Sequence, residues 1–245
     1  MRTKFYLFIL LFPVVLLNCT VTDCPYSPDE VSNDGCGILL AETRILPKFN
    51  AIHMNTAGDV FVSPGLEQSV CVTIDSNLID CIETTVNNRV LKINVQKGRT
   101  LSDYKLTIDI VTPDLKEVIT SSAGIITGKG KFSCDNITLI ASSAGDISLE
   151  LDAQNIYSYL SSAGCICLCG KADYHNANLS SAGNLHAFGL KTRETYTTVS
   201  SAGSAMVYAT ELLNVIISSI GSVYYKGHPT IYETVSSIGQ LVDAN

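Results

Sequence analysis

A four-residue motif, Ser-Ser-Ala-Gly, returns along the second half of the chain at a nearly constant interval, and this recurrence constrains the fold more than any other feature. It stands at residues 121–124, 142–145, 161–164, 180–183 and 200–203, and closes as Ser-Ser-Ile-Gly at 218–221 and 236–239. The motif glycines are 21, 19, 19, 20, 18 and 18 residues apart. Asn55-Thr56-Ala57-Gly58 is a degenerate earlier copy. A period of this length without helical spacing denotes a coil of stacked strands, because one unit cannot bury its own apolar face.

Aligning the copies on their glycines produces columns. Four residues before the glycine stand Thr120, Ala141, Leu160, Leu179, Val199, Ile217 and Val235. Eight before it, from the second copy on, stand Ile137, Ile156, His175, Thr195, Leu213 and Ile231. Two after it stand Ile126, Ile147, Ile166, Leu185, Ala205, Val223 and Leu241. These positions share one parity, so alternation along a strand puts them on one buried face. The second serine of each motif shares that parity. Ser122, Ser143, Ser162, Ser181, Ser201, Ser219 and Ser237 are therefore expected to form a buried hydroxyl ladder, with the glycine supplying backbone freedom at the corner. A nucleophilic serine is a poor reading, because seven equivalent copies lack a matched His and Asp. A polar turn is expected at residues 152–155, and no helix of note anywhere.

Residues 41–115 are less regular. Ile52, Val60 to Val62, Val70 to Ile74, Val90 to Val95 and Leu106 to Val111 read as strands, with polar stretches between them. They fit a distorted start of the same coil or a small capping subdomain, and the first is favoured.

The N-terminus carries its own signal. Arg2 and Lys4 precede an apolar run over residues 5–17, which has signal-peptide length and is too short for a membrane span. The segment 1–18 is thus expected to be a signal peptide. Cys19 directly after it is a candidate lipidation site, although Asn18 departs from the small residue usual there; simple cleavage or an uncleaved anchor are the alternatives. Residues 19–40 read as a tether. Cys24 and Cys36 bracket its polar stretch and suit a disulfide in an exported protein.

The net charge of −7 and the lack of a basic cluster exclude nucleic acid as a partner. Cys165, Cys167 and Cys169 line one face of a strand about 6.5–7 Å apart, which suits neither a disulfide nor a tetrahedral metal. His53, His175, His186 and His228 are scattered, and His175 falls in a mostly apolar column. Lys129 and Lys131 have no matching acid cluster of the kind a polysaccharide lyase would need. No cofactor, metal or catalytic residue is expected, and the chain is read as a non-enzyme.

The stretch Arg44-Ile45-Leu46-Pro47-Lys48-Phe49-Asn50-Ala51-Ile52 resembles the opening of the putative auto-transporter adhesin head GIN domain family. The resemblance continues through Thr56-Ala57-Gly58-Asp59-Val60, Asn77-Leu78-Ile79-Asp80 and Thr112-Pro113-Asp114-Leu115-Lys116-Glu117-Val118, and covers residues 41–245. It implies a right-handed parallel β-helix in an exported, often lipid-anchored protein of the Gram-negative cell envelope, here an outer-membrane lipoprotein. It implies no catalytic residues. The expected function is a surface binding module that presents an extended face to a glycan or a surface protein; a structural envelope protein, and less so a polysaccharide-active enzyme, are the alternatives. Asp146, Asn184, His186 and Tyr224, on the outward columns after the glycine, are the candidate ligand face.

Overall fold

The computed structural model describes residues 33–236 and 238–245. The signal segment 1–18, Cys19, Cys24 and the first part of the expected tether, to residue 32, lie outside the described residues, as does Ser237.

The described chain is a parallel β-solenoid of about seven turns, with one short 3-10 turn at Ile79–Cys81 and no α-helix among the described residues. Its first strands are β1 (Leu39–Thr43), β2 (Ala51–Met54), β3 (Gly58–Pro64), β4 (Ser69–Asp75), β5 (Ile82–Asn87), β6 (Val90–Val95), β7 (Thr107–Thr112) and β8 (Glu117–Thr120). The regular coil follows as β9 (Gly124–Ala141), β10 (Asp146–Leu160), β11 (Cys165–Leu179), β12 (Asn184–Ser200) and β13 (Ser204–Ser218). It closes with β14 (Ser222–Lys226), β15 (Thr230–Ser236) and β16 (Gln240–Asp243).

The irregular first part combines the two readings of its sequence. β2 and β3 are a true rung, pairing in parallel with β8 and β9 on one side. On the other side they pair in parallel with β6 and β7, which come later in the chain. The outer ends are closed by antiparallel pairs: β5 on β6, and β4 between β7 and β1. Residues 33–40 are held to this cap. Gly37 N–H donates to Asp75 Oδ1 at 2.6 Å, and Asn77 Nδ2 donates to the Asp34 carbonyl at 2.8 Å.

From β9 onward the glycine-aligned columns are the core. Ile137, Ile156, Leu160, Leu179, Val199, Leu213, Ile217, Ile147, Ile166, Leu185 and Val223 are all buried. Each buried Ile or Leu contributes about 1.5–3 kcal/mol over its exposed state. The last rung departs from this, since Ile231 and Val235 lie on β15 and remain exposed. The polar turn expected at 152–155 is instead a bend inside continuous β10, with Ala153 buried and Gln154 exposed.

The serine ladder is corrected by the structure. Ser122, Ser143, Ser162, Ser181, Ser201 and Ser219 are exposed, and each has φ between 52° and 78°. The motif is a tight turn: Gly145 N–H donates to the Ser142 carbonyl at 2.9 Å, and Gly164 N–H to that of Ser161 at 3.0 Å. A turn residue with positive φ does not continue strand alternation, so the parity count fails there. The glycine's role is corrected with it. None of Gly124, Gly145, Gly164, Gly183, Gly203 and Gly221 has positive φ. They point inward where a side chain has no room: a Cβ on Gly164 would lie 2.3 Å from the Ala141 carbonyl oxygen.

Candidate functional site

Stacking the rungs in register turns each sequence column into a straight row of side chains across the sheet, and two outward faces result. The face after the glycine carries the residues singled out from the sequence. Asp146 pairs with Cys165, Cys165 with Asn184, and Asn184 with Ser204. The neighbouring row runs Ser148, Cys167, His186, Met206 and Tyr224. Asn184 and His186 are thus adjacent outward positions of β12, with Asp146 two rungs before them and Tyr224 two rungs after. Asn184 and His186 are exposed; Asp146 and Tyr224 are half-buried. Asn184 Nδ2 is turned to the Ala182 carbonyl at 3.1 Å.

Two of the thiols on this face, Cys165 and Cys169, are poorly suited to chemistry. Burial, then the neighbouring Cys167 and Asp146, push Cys165 up to about 12. Burial and Glu150 raise Cys169. A protonated thiol is a weak nucleophile and ligand. Among the described residues no group of three or more His, Cys, Asp and Glu is placed to hold a metal.

His175 belongs to the core. It is 1% exposed, its Nε2 lies 2.9 Å from Ser158 Oγ, and burial lowers its pKa to about 4. Ser158 is fully buried, so this Ser-His pair meets no substrate. His53, on β2, lies 2.6 Å from Glu117 through its Nε2.

A shallow cleft of about 460 Å³ gathers Asp135, Asp152, Asp173 and Lys171 at the bend between the two faces. Lys171 Nζ lies 3.2 Å from Asp152 Oδ2, and burial with Asp114, Asp135 and Asp152 pushes the adjacent Cys134 thiol up to about 11. The sequence columns did not reveal this acid group, because Asp152 and Asp173 come from different columns that only the bend brings together.

The face before the glycine is chemically richer. Its middle row runs Thr138, Tyr157, Asn176, Tyr196, Asn214 and Tyr232. One side row holds Asn136, Asn155, Tyr174, Glu194 and Leu212, the other Ile140, Tyr159, Asn178, Thr198 and Ile216. Tyr174 nests between its neighbours, with ring centroids 6.1 Å from Tyr157 and 5.3 Å from Tyr196. The amides are tied together: Asn155 Nδ2 donates to Asn136 Oδ1 at 2.9 Å, and Asn178 Nδ2 to Asn176 Oδ1 at 2.7 Å. Asn176 Nδ2 donates to the Tyr174 hydroxyl at 3.1 Å. Glu117 continues the middle row one rung before Thr138, and from Thr138 onward Glu194 is the one carboxylate of the three rows, with Arg193 3.5 Å from it. A shallow groove of about 250 Å³ lined by Tyr159, Asn178 and Thr198 opens beside the turns.

The model of the putative auto-transporter adhesin head GIN domain matches residues 48–229. The chain belongs to this family. Solved structures share the fold of the head GIN chain at low identity. A putative adhesin from Bacteroides fragilis is 20% identical with a TM-score of 0.79, covering 86% of this chain and 98% of that one. A putative adhesin from Parabacteroides merdae is 21% identical with a TM-score of 0.71, at the same coverages. A putative lipid binding protein from Parabacteroides distasonis is 23% identical with a TM-score of 0.70, covering 86% of this chain and 99% of that one. No curated protein matches the sequence.

Proposed function

We propose that this head GIN chain is an exported, non-catalytic binding module that holds an extended ligand on the face before the motif glycine. The observation that carries the reading is the row Tyr157, Asn176, Tyr196, Asn214, Tyr232, which offers ring faces and amide groups in register over five rungs. Aromatic rings give contact area at small entropic cost, and amides fix orientation by hydrogen bonds. A flat, nearly uncharged surface of this kind suits a glycan better than a charged surface protein. The residues Asp146, Asn184, His186 and Tyr224 form the second candidate face, with fewer rings and more thiols.

The placement that goes with this reading is the outer membrane of a Gram-negative envelope, through a lipid on Cys19 after removal of residues 1–18. The motivation is the apolar run ending at that cysteine. Detergent partitioning of the mature protein, lost on Cys19→Ala, is the expected result; an unblocked mature N-terminus elsewhere contradicts it.

The test of the face is an array of glycans and surface proteins probed with the wild type and two double variants. Tyr157→Ala/Tyr196→Ala is expected to abolish the signal and Asn184→Ala/Tyr224→Ala to keep it. The reverse pattern assigns the function to the other face.

A second reading, a structural envelope protein, has its own observation. β15 pairs only with β13, and its Ile231, Tyr232 and Val235 are exposed. Concentration-dependent assembly in light scattering, removed by Val235→Lys, supports that reading.

A further inference from the structure

We infer that the ligand is a neutral β-1,4-linked hexopyranose chain lying along the solenoid axis, across the strands, with its two-sugar repeat matched to two rungs. The inference rests on the binding-face reading above and names the chemistry of its occupant. In the middle row itself the aromatic residues occupy every second rung, Tyr157, Tyr196 and Tyr232, with Asn176 and Asn214 between them; the Tyr174 ring of the side row bridges the first two beside Asn176. Parallel strands lie about 4.8 Å apart, so the aromatic period along the axis is about 9.6 Å.

A ligand in register with this row needs the same repeat. An extended polypeptide repeats its side-chain direction every two residues, about 6.6–6.8 Å, and drifts out of step within one period. A β-1,4-linked hexopyranose chain is flat and nearly straight. Successive rings are turned over, so the same ring face returns at every second sugar, close to the spacing of two rungs. One sugar of each pair then lies over a tyrosine, and its neighbour presents its hydroxyls to an asparagine. An α-1,4 chain curls away from a straight row, and a β-1,3 chain winds about its own axis.

Charge agrees with a neutral chain. From Asn136 to Tyr232 the three rows contain the single carboxylate Glu194, set beside Arg193, and no lysine or arginine to neutralise an acidic polymer; the middle row's next residue toward the N-terminus is another acid, Glu117. The whole chain carries −7, which repels polyanions. The hydrogen bonds that Asn178 donates to Asn176 and Asn176 to the Tyr174 hydroxyl fix these groups before a ligand arrives.

The row from Tyr157 to Tyr232 spans four strand spacings, about 19 Å. A hexasaccharide covers it, and affinity is expected to rise from disaccharide to hexasaccharide and then level off. The experiment is calorimetric titration of the purified protein with hexamers of β-1,4-linked glucose, β-1,4-linked N-acetylglucosamine, α-1,4-linked glucose and β-1,3-linked glucose. Binding by at least one β-1,4 hexamer, about tenfold tighter than the other linkages, is expected. Tyr196→Ala should weaken it about tenfold while Tyr196→Phe keeps it. Equal binding of all linkages, or of the α-1,4 or β-1,3 hexamer alone, overturns the inference but leaves the face reading intact. Binding of a β-1,4 hexamer that is unchanged in Tyr157→Ala/Tyr196→Ala overturns both. Failure of all four hexamers overturns the inference, and the array with the face variants then decides the reading separately.

Discussion

His175 Nε2 lies 2.9 Å from Ser158 Oγ, one rung away, with both side chains sealed in the solenoid core. The pair has the composition of a catalytic dyad and the surroundings of a packing contact. Burial lowers the histidine from 6.5 to about 4 because the core does not solvate its charged form. A folded pKa below the unfolded value means that the unfolded chain binds the proton first. The stabilising effect of a neutral His175 is therefore complete above pH 6.5 and is lost as the pH falls from 6.5 to 4. The loss is on the order of 3 kcal/mol. Urea midpoints of the wild type should fall steeply across this window, and those of His175→Leu less so. Equal slopes in the two proteins would contradict a neutral buried imidazole.

The corner glycines should differ in their tolerance of a methyl group. A Cβ at Gly164 meets backbone, the Ala141 carbonyl oxygen, at 2.3 Å; at Gly203 it meets the Val199 Cγ1 methyl at 3.1 Å and the Gly183 carbonyl oxygen at 3.2 Å, so only a few tenths of an ångström must be given. Overpacking against backbone costs about 3 kcal/mol or more, and against a side chain that can shift about 1 kcal/mol. Thermal unfolding of Gly164→Ala and Gly203→Ala measures the contrast. Similar losses would mean that the corner glycines serve some purpose other than close approach.

Ser162 sits at the turn position with φ 55° and is exposed. A left-handed conformation costs an L-residue about 1–2 kcal/mol and a β-branched one more. Ser162→Gly is expected to raise stability by about 0.5 kcal/mol, and Ser162→Val to lower it by about 1–2 kcal/mol. A destabilised Ser162→Gly variant would restore the hydroxyl ladder that the structure replaces with a turn.

Much of the coil is legible in the sequence, because the glycines act as rulers. From Gly145 to Gly221 the residues four before, eight before and two after each glycine fall in the core as alternation requires, and the columns fail only at the two ends of the coil, at Lys116, Ile231 and Val235. The same ruler misleads inside the motif: counting by twos from Leu160 through Ser162 to Gly164 assumes extended backbone, and Ser162 is left-handed. The tyrosine–asparagine row was equally available. Seven residues before the motif glycines stand Glu117, Thr138, Tyr157, Asn176, Tyr196, Asn214 and Tyr232, a column as visible in the sequence as those after the glycine. The N-terminal part was less accessible. β6 and β7 stack outside β2 and β3 although they follow them in the chain, and no periodicity records such an order. The acid group of Asp135, Asp152 and Asp173 gathers where β10 bends; the polar residues 152–155 mark that place in the sequence, but not that Asp135 and Asp173 of the neighbouring rungs meet Asp152 there.

The central claim is that the face before the motif glycine recognises the ligand. Its most direct test is the map of backbone amide shifts when the protein is titrated with a pool of neutral β-1,4-linked hexasaccharides. Perturbations are expected to group at Tyr157, Tyr174, Asn176, Tyr196 and Asn214, running across successive rungs. Perturbations grouped at Asp146, Asn184, His186 and Tyr224, or confined to the turns, would contradict it.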